Sequence, residues 1–314
     1  MKENRLIYGT MGIGGGWTSN ELTESAIEQG AKAIQTALDC GITTFDFANI
    51  YQKGKAEEVF GLYLEKNEDL REKLFLQSKV GIQLYDDPRK NKYNFSKEHL
   101  IEEVEAILKR LKTDYLDCLI LHRFDPLMDS KELSEAIQSM KKRGLFKVLG
   151  VSNMSHHQIK IIEKITKEKI TVNQLEMSLK KRDWLEGSVM FNHGGYQSLD
   201  FPVGTVEYCQ LNGIELQAWG SLGQGIYSGR PLEEPIDESV KETRALVTKL
   251  AKEKDVSKES IVMAWLLKHP SNIRPVIGST NEERIKNIAE STKVELTREE
   301  WYDLFVSARG NVLP

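Results

Sequence analysis

The sequence predicts an α/β fold, a (β/α)8 TIM barrel, because strand-like runs and amphipathic helical segments alternate along the chain. Eight strand-like runs occur in 314 residues, or about 39 residues for each strand–helix unit. Strict alternation favours a parallel sheet that is covered by helices on both faces. Eight such units close naturally into a barrel, and a doubly wound open sheet is the rival arrangement.

The eight predicted strands come in a regular order. They are LIYG from Leu6, TTFD from Thr43, LFLQSK from Leu74, LDCLIL from Leu116, KVLGVS from Lys147, TVNQLE from Thr171, IELQAW from Ile214 and IRPVIG from Ile273. One feature opposes this assignment. Pro275 lies inside the eighth run, and a residue without an N–H is normally excluded from the interior of a sheet.

Boundary residues mark the helices between these strands. Predicted helices begin near Glu24, at Lys55, at Ser96, at Asp129 or Ser130, and at Ser257. Helix ends are indicated by Gly41, Gly144 and Pro270. The segment from Lys180 to Leu199 is long, irregular and glycine-containing, which is typical of a functional or disordered loop. Because no linker or repeat interrupts the pattern, we expect a single domain over residues 1–314, with long βα loops at the C-terminal face of the barrel.

Composition narrows the functional classes. The net charge is −4 without a block of like charges, so neither nucleic acid nor an anionic membrane is an expected partner. There is no signal-peptide core, and no apolar run approaches the ~18 residues of a membrane helix. Cys40, Cys118 and Cys209 are far apart, which fits reduced thiols in a cytoplasmic protein. No HExxH, CxxC or carboxylate cluster indicates a metal site.

Four polar side chains follow predicted strands at the face where barrels place their active sites. Asp46 ends the second strand and Tyr51 lies just beyond it, while Lys79 ends the third strand and His122 follows the fourth. Each residue alone has a structural explanation, such as a turn cap or a half-buried aromatic ring. Together they form a coherent acid–base set on consecutive strands.

The chemistry of this set suits proton donation to an oxygen. A phenol with a pKa of ~10 is a poor acid at neutral pH, but a nearby ammonium favours the phenolate and lowers that pKa. Lys79 would supply the cation, and Asp46 would hold it in place and keep it charged. We therefore expect the pKa of Tyr51 to move toward neutral pH, with His122 orienting the oxygen of the substrate. Such a site suits carbonyl reduction if a hydride donor is near.

Six segments then resemble a known family. FDFANIY, SKVGI, LILHRFDP, GVSN, NQLEMS and AWGSLGQG are similar, in this order, to the motifs of the aldo-keto reductases, from residue 9 to about 290. The phrase HRFDP further resembles a bacterial oxidoreductase branch. The resemblance implies that Asp46, Tyr51, Lys79 and His122 reduce a carbonyl with NADPH on a (β/α)8 barrel, with Tyr51 as the proton donor.

The resemblance also implies where a cofactor binds, since neither GIGGGW nor GSLGQG fits the GxGxxG fingerprint. Ser152, Asn153 and Gln174 would hold the nicotinamide amide, and Trp219 would stack on the ring. The pyrophosphate would be wrapped by backbone N–H groups of Gly220, Ser221, Leu222, Gly223 and Gln224.

The adenosine end of the cofactor is implied by IGSTNEERIKNIAE. Ser279, Thr280 and Arg284 would meet the 2′-phosphate, and Asn287 the adenine. Gly278 stands where many relatives have lysine, which weakens the preference for a phosphate. NADPH is still favoured over NADH because of Arg284, whose guanidinium suits a phosphate.

The substrate site is predicted from Tyr51, His122 and a few apolar residues. Trp17 and Phe124 are the main candidates for its walls, and Tyr85, Met177, Trp184 and Tyr196 are others, although each could equally serve loop packing. We expect an NADPH-dependent reductase of aldehydes or ketones that is a monomer or weak homo-oligomer. The alternatives are an NADP(H)-binding redox sensor with little turnover, and a barrel isomerase or lyase without nicotinamide.

Overall fold

The computed structural model describes residues 4–18, 21–193 and 199–314. Its strands, in chain order, are β1 (Ile7–Gly9), β2 (Thr44–Asp46), β3 (Phe75–Val80), β4 (Ile82–Gln83), β5 (Lys92–Tyr93), β6 (Leu116–Leu121), β7 (Phe146–Ser152), β8 (Ile170–Glu176), β9 (Glu215–Trp219) and β10 (Arg274–Ile277). Strands β4 and β5 form a separate antiparallel hairpin. The other eight close into a barrel in the order β1-β10-β9-β8-β7-β6-β3-β2, so the predicted barrel is confirmed and the open sheet is wrong.

Helices follow most of the barrel strands. They are α1 (Glu24–Asp39), α2 (Lys55–Glu65), α3 (Lys97–Leu111), α4 (Ser130–Lys142), α5 (His156–Thr166), α6 (Asp183–Val189), α7 (Thr205–Leu211), α8 (Glu238–Glu253), α9 (Lys258–Leu267), α10 (Glu282–Ala289) and α11 (Arg298–Arg309). Ser257 caps its helix through its side-chain oxygen, as predicted, and the side chain of Asp129 caps the helix predicted to begin at Asp129 or Ser130. Ser96 precedes α3 in an extended conformation, but its side chain makes no capping hydrogen bond.

The chain forms two compact units. The first unit comprises Ile7–Asn173 and Gly278–Glu282, and the second comprises Met1–Leu6, Gln174–Ile277 and Glu283–Pro314. The expectation of one domain over residues 1–314 stays a prediction. Within the described residues, no helix is both long enough and apolar enough to cross a membrane.

The first unit places the carboxyl ends of neighbouring parallel strands side by side. Gly9 pairs with Asp46 between β1 and β2, and Asp46 pairs in turn with Gln77 of β3. The residues of β6 are all buried, which is typical of a parallel strand covered on both faces. Helix α3 buries an apolar stripe, namely Leu100, Val104, Ile107, Leu108 and Leu111, while the neighbouring Ile101 is half-buried.

The second unit contains the eighth barrel strand and an aromatic cluster. Pro275 lies within β10 opposite Ala218 of β9, so its missing N–H does not exclude it from the strand. The indoles of Trp265 and Trp301 stack with centroids 5.1 Å apart, and each N–H donates to the backbone carbonyl of the other residue. These two bonds join helices α9 and α11.

Two elements depart from the sequence prediction. The β4–β5 hairpin follows β3 directly, and two-residue strands are too short to show an alternating pattern. The segment from Lys180 to Leu199 is not wholly irregular, because it contains α6. A short helix in a glycine-containing segment leaves little periodicity to detect.

Candidate active site

The carboxyl ends of β2 and β3 bring a carboxylate against a buried ammonium. Lys79 Nζ lies 2.5 Å from Asp46 Oδ2 and donates a second hydrogen bond, of 2.9 Å, to the carbonyl of Phe47. Gln77 Nε2 donates to the other carboxylate oxygen at 2.7 Å. Asp46 and Lys79 are each 1% exposed, so the ion pair is shielded from water.

The hydroxyl of Tyr51 is the third partner of this ammonium. Lys79 Nζ lies 3.1 Å from the Tyr51 oxygen. An ammonium has three protons, and Asp46, the Phe47 carbonyl and Tyr51 can accept all three. The structure therefore brings together three of the four side chains that the sequence analysis selected.

The alternation of side chains along β3 directs Lys79 to this site. Gln77 and Lys79 are two residues apart and share one face of the strand, and both reach Asp46. Ser78, between them, points the other way and donates to Glu57 of α2 at 2.8 Å. A shift of the register by one residue would turn Lys79 away from Asp46.

The protonation of Tyr51 differs from the sequence-based expectation. Burial raises the pKa of the Tyr51 phenol, Lys79 lowers it and the charge of Asp46 raises it, and the net direction is upward. The expected shift toward neutral pH is therefore wrong for this structure, because burial outweighs the cation. Burial alone would lower the pKa of Lys79, but Asp46 and Tyr51 together raise it, so the ammonium keeps its charge.

His122 follows β6 and faces Tyr51. The two rings are edge to face, with centroids 6.4 Å apart. Burial, with Lys79 and Arg123 nearby, holds the pKa of His122 well below its usual value, so the imidazole is neutral. Its Nδ1 atom is buried and has no hydrogen-bond partner among the described residues. The fourth selected side chain thus lies with the other three.

The candidate substrate walls separate into accessible and buried residues. Trp17 is 47% exposed in the loop that follows β1, and Tyr85 is exposed between β4 and β5. Phe124 is half-buried, two residues beyond His122. These three residues remain candidates for substrate contact.

Met177 and Trp184 do not fit a substrate wall, which corrects the sequence-based expectation. Met177 is fully buried. Trp184 is 3% exposed, and its ring packs edge to face against Trp265 and His269 in the aromatic cluster of the second unit. The fourth of the other candidates, Tyr196, lies outside the described residues.

In the first unit, the candidate cofactor residues occupy two loops. Ser152 ends β7 and is buried, and the side chain of Asn153 donates to its hydroxyl at 2.8 Å. Gly278, Ser279 and Thr280 follow β10, with the hydroxyl-bearing residues half-buried. Their predicted roles are untested and stay predictions.

In the second unit, the candidates lie at the ends of β8 and β9 and on α10. Gln174 is buried in β8 and donates to Gln217 at 2.9 Å, while Trp219 ends β9 and is half-buried. The segment predicted for the pyrophosphate follows Trp219 and comprises Gly220, Ser221, Leu222, Gly223 and Gln224. Arg284 is exposed on α10 and Asn287 is half-buried there.

The pyrophosphate segment fits an anion only in part. Gly220, Gly223 and Gln224 all have a positive φ, so the backbone turns tightly. However, the N–H of Gly223 donates to the carbonyl of Gly220, and the Ser221 hydroxyl donates to the carbonyl of Val276. These two donors are already occupied, so any pyrophosphate contact would fall to other groups of the segment.

Taken separately, each unit offers groups of the kind that bind parts of a nicotinamide dinucleotide. Trp219 is half-buried, and an indole is of the type that stacks on an aromatic ring. The exposed guanidinium of Arg284 and the half-buried hydroxyls of Ser279 and Thr280 are of the type that binds a phosphate.

Two polar residues of the site are absent from the sequence-based selection. Gln77 could have been found, because it shares the β3 face with Lys79 and pairs with Asp46. Gln52 directly follows Tyr51 and is 5% exposed, but no sequence pattern marks it, since its hydrogen bonds are to distant backbone groups.

The barrel thus carries a buried Lys–Asp pair beside a tyrosine at the carboxyl ends of its strands. The model of the aldo/keto reductase family matches residues 5–304, and the chain belongs to this family.

Related proteins cover almost the whole chain. The uncharacterised oxidoreductase YcsN of Bacillus subtilis is 33% identical and spans 99% of this chain and 96% of its own. The 6-dehydroglucose reductase of Agrobacterium fabrum is 31% identical, with 98% and 95% covered. Among solved structures, the thermostable aldo-keto reductase Tm1743 in complex with the inhibitor epalrestat has a TM-score of 0.75 at 27% identity, with 96% and 94% covered.

Proposed function

We propose that this oxidoreductase reduces an aldehyde or ketone to an alcohol with NADPH. The observation that supports the proposal best is the buried ammonium of Lys79, which is shared between the Asp46 carboxylate and the Tyr51 hydroxyl. The second candidate, redox sensing with little turnover, is favoured by no observation on the described residues.

The proton chemistry follows from the contacts of Tyr51. Because the pKa of the phenol is raised, Tyr51 carries its proton at neutral pH and can donate it to the carbonyl oxygen. The charge of Lys79 then stabilises the phenolate that remains. The neutral imidazole of His122 can donate a hydrogen bond that orients the same oxygen.

When bound, NADPH would supply a hydride to the carbonyl carbon. Tyr51 would give its proton to the carbonyl oxygen. Ser152, Asn153 and Gln174 are proposed to hold the carboxamide, and Trp219 to stack on the nicotinamide. Arg284, Ser279 and Thr280 are proposed for the 2′-phosphate, and Asn287 for the adenine. NADPH is preferred over NADH in this proposal because Arg284 is an exposed guanidinium.

The substrate is proposed to be a small carbonyl compound that contacts Trp17 and Phe124. Since the relative from A. fabrum is a 6-dehydroglucose reductase, that sugar belongs in a substrate panel with aldehydes, ketones and quinones. A cytoplasmic location is proposed because the three cysteines are odd in number and far apart in the sequence, which fits thiols of a reducing compartment. We expect a monomer or weak homo-oligomer, which analytical ultracentrifugation would measure.

The test is to compare the wild type with Tyr51→Phe, which removes only the hydroxyl. With NADPH and an active carbonyl, kcat should fall by about 10²–10⁴-fold, the usual contribution of a general acid. The affinity for NADPH should change little, and the wild type should bind NADPH more tightly than NADH. Absorbance at the cofactor band gives turnover, and calorimetry gives affinity. Undiminished turnover by Tyr51→Phe would exclude Tyr51 as the donor.

A further inference from the structure

The turn that carries Tyr51 has an unusual backbone. Gln52 and Lys53 adopt φ values of 52° and 58°, and Gly54 follows with 89°. Residues with a Cβ rarely adopt this left-handed region, where glycine meets no such penalty. Two successive non-glycine residues therefore hold a strained conformation next to the candidate proton donor, and such strain persists only where surrounding contacts enforce it.

The side chain of Gln52 provides one such contact. Its Nε2 donates to the carbonyl of Met11 at 2.8 Å, and its Oε1 accepts from the N–H of Gly16. Gln52 is 5% exposed, so both bonds are shielded from water. We call this pair of bonds the Gln52 bridge. It joins the Tyr51 turn (Tyr51–Gly54) to the first loop, residues 10–18.

Two further observations show that the first loop packs closely on this part of the chain. Lys55 Nζ, at the start of α2, donates to the carbonyl of Thr18 at 3.1 Å. Gly14 has a φ of 110°, and a Cβ added there would lie 2.9 Å from Lys55 Cβ. The close approach requires glycine at position 14, so the contact between loop and turn is built into both segments.

Each segment joined by the bridge carries one candidate site residue. The Tyr51 turn positions the phenol beside Lys79, and the first loop carries Trp17, whose indole is 47% exposed. Resting on the proposed reductase function, we propose that Gln52 is a positioning residue that fixes the proton donor and the Trp17 wall relative to each other. It sets both proton delivery and the size of carbonyl that fits.

The neighbouring residue offers a matched comparison. Lys53 has nearly the same backbone conformation, but its side chain reaches outward to Asp86, whose side chain is fully exposed at 99%. Glycine at position 52 or 53 would relieve the same kind of backbone strain. Only the change at position 52 would also remove the bridge.

The experiment compares Gln52→Gly with Lys53→Gly. Lys53→Gly should have a Tm equal to or above that of the wild type, because it relieves backbone strain and loses only an exposed ion pair. Gln52→Gly should have a lower Tm than Lys53→Gly, because it also loses two buried hydrogen bonds. Gln52→Gly should lower kcat by about ten- to a hundredfold, as small misplacements of reacting groups do, and its KM should rise more for bulky carbonyls than for small ones. Lys53→Gly should stay within about twofold of the wild type, since an exposed ion pair contributes little.

A measurement without turnover tests the bridge itself. In the cofactor-free protein, the Gly16 amide should exchange its hydrogen faster in Gln52→Gly and at the wild-type rate in Lys53→Gly. Gln52→Asn, which tolerates the backbone but is one methylene shorter, should resemble Gln52→Gly in both measurements and serves if that variant is poorly folded.

The outcomes separate this inference from the function on which it rests. An active wild type with equal activity losses in the two glycine variants would overturn the role of the Gln52 side chain, as would unchanged exchange at Gly16 in Gln52→Gly. A wild type that binds no nicotinamide cofactor and reduces no carbonyl would instead overturn the proposed function.

Discussion

Two polar clusters of the first unit combine the same kinds of side chain at opposite ends of the strands. The carboxyl-end cluster consists of Asp46, Tyr51 and Lys79. Its one cation is 1% exposed and donates to both the carboxylate and the phenol. A carboxylate, a cation and a tyrosine thus meet where the barrel presents its candidate active site.

The amino-end cluster consists of Arg71, Tyr115, Asp117 and Lys147. Asp117 accepts from the N–H of Leu76 at 2.9 Å and pairs with Arg71 at 3.0 Å and Lys147 at 2.9 Å. Both cations also lie over the ring of Tyr115, at 3.9 and 4.2 Å from its centroid. The side chain of Lys147 is 59% exposed, so this cation keeps much of its hydration.

The two clusters contain similar side chains but differ in the exposure of one cation, since Lys79 is 1% exposed and the side chain of Lys147 is 59% exposed. Burying an ion pair contributes little net stability, because the loss of hydration offsets the attraction. Folding alone therefore does not explain why Lys79 is buried. In the amino-end cluster Asp117 and Arg71 are also largely buried, but Lys147 keeps much of its hydration and so incurs a smaller part of this cost. A fully buried cation is more informative about function than the mere presence of a salt bridge.

The largest expected effect is on the activity of Lys79→Met. Without the ammonium, the phenolate formed when Tyr51 donates its proton has no cation at 3.1 Å. Catalytic efficiency, kcat/KM, should fall by about 10²–10⁴-fold, which steady-state kinetics with NADPH will measure. Stability should fall as well, by about 3–5 kcal/mol, because the buried Asp46 carboxylate loses its cation.

The double variant Asp46→Asn/Lys79→Met separates these two losses. Removing both charges should restore most of the free energy of unfolding, measured by denaturant titration, since a buried pair is often replaced at little cost. Activity should remain lost. A double variant that regained activity together with stability would show that Lys79 is structural, as the amino-end cations are.

Asp117→Asn is expected to have a smaller effect, which lowers stability but leaves activity unchanged. This change removes the charge that Arg71 and Lys147 share, and should lower the free energy of unfolding by about 2–3 kcal/mol, with the Lys147 share reduced by its exposure. The kcat/KM of the folded protein should stay within about twofold of the wild type. A large fall in kcat/KM without loss of stability would break the proposed division between the two clusters.

The barrel and much of the carboxyl-end cluster could be predicted from the sequence. The alternation of strands and helices indicated the barrel, and the barrel in turn placed Asp46 and Lys79 at the same face because parallel strands share a direction. The period of two along β3 fixed the direction of the Lys79 side chain. These inferences need only the local periodicity of the sequence and the common direction of the strands in a closed parallel barrel.

What depends on packing could not be predicted. The upward shift in the pKa of Tyr51 comes from burial, which no spacing of residues reveals. Trp184 resembled a loop aromatic in the sequence, but it packs in a cluster with Trp265 and His269, which are about eighty residues away. Gln52 bonds two backbone groups that are 36 and 41 positions away, and side-chain identity carries no record of such partners.

The smallest expected effect is the response of the carboxyl-end cluster to pH. The folded pKa of Tyr51 lies above ~10 and that of His122 well below ~6.5, so neither group titrates between these values and kcat/KM should vary less than about twofold from pH 7 to 9. The raised pKa of Tyr51 adds stability that is lost as pH rises beyond ~10, and the lowered pKa of His122 adds stability that is lost as pH falls below ~6.5. In Asp117→Asn, kcat/KM should show the same flat dependence on pH from 7 to 9, although the free energy of unfolding is lower. A bell-shaped profile of kcat/KM centred near pH 7 would place a titrating group in the cluster, and the phenol would then have the lowered pKa that its burial opposes.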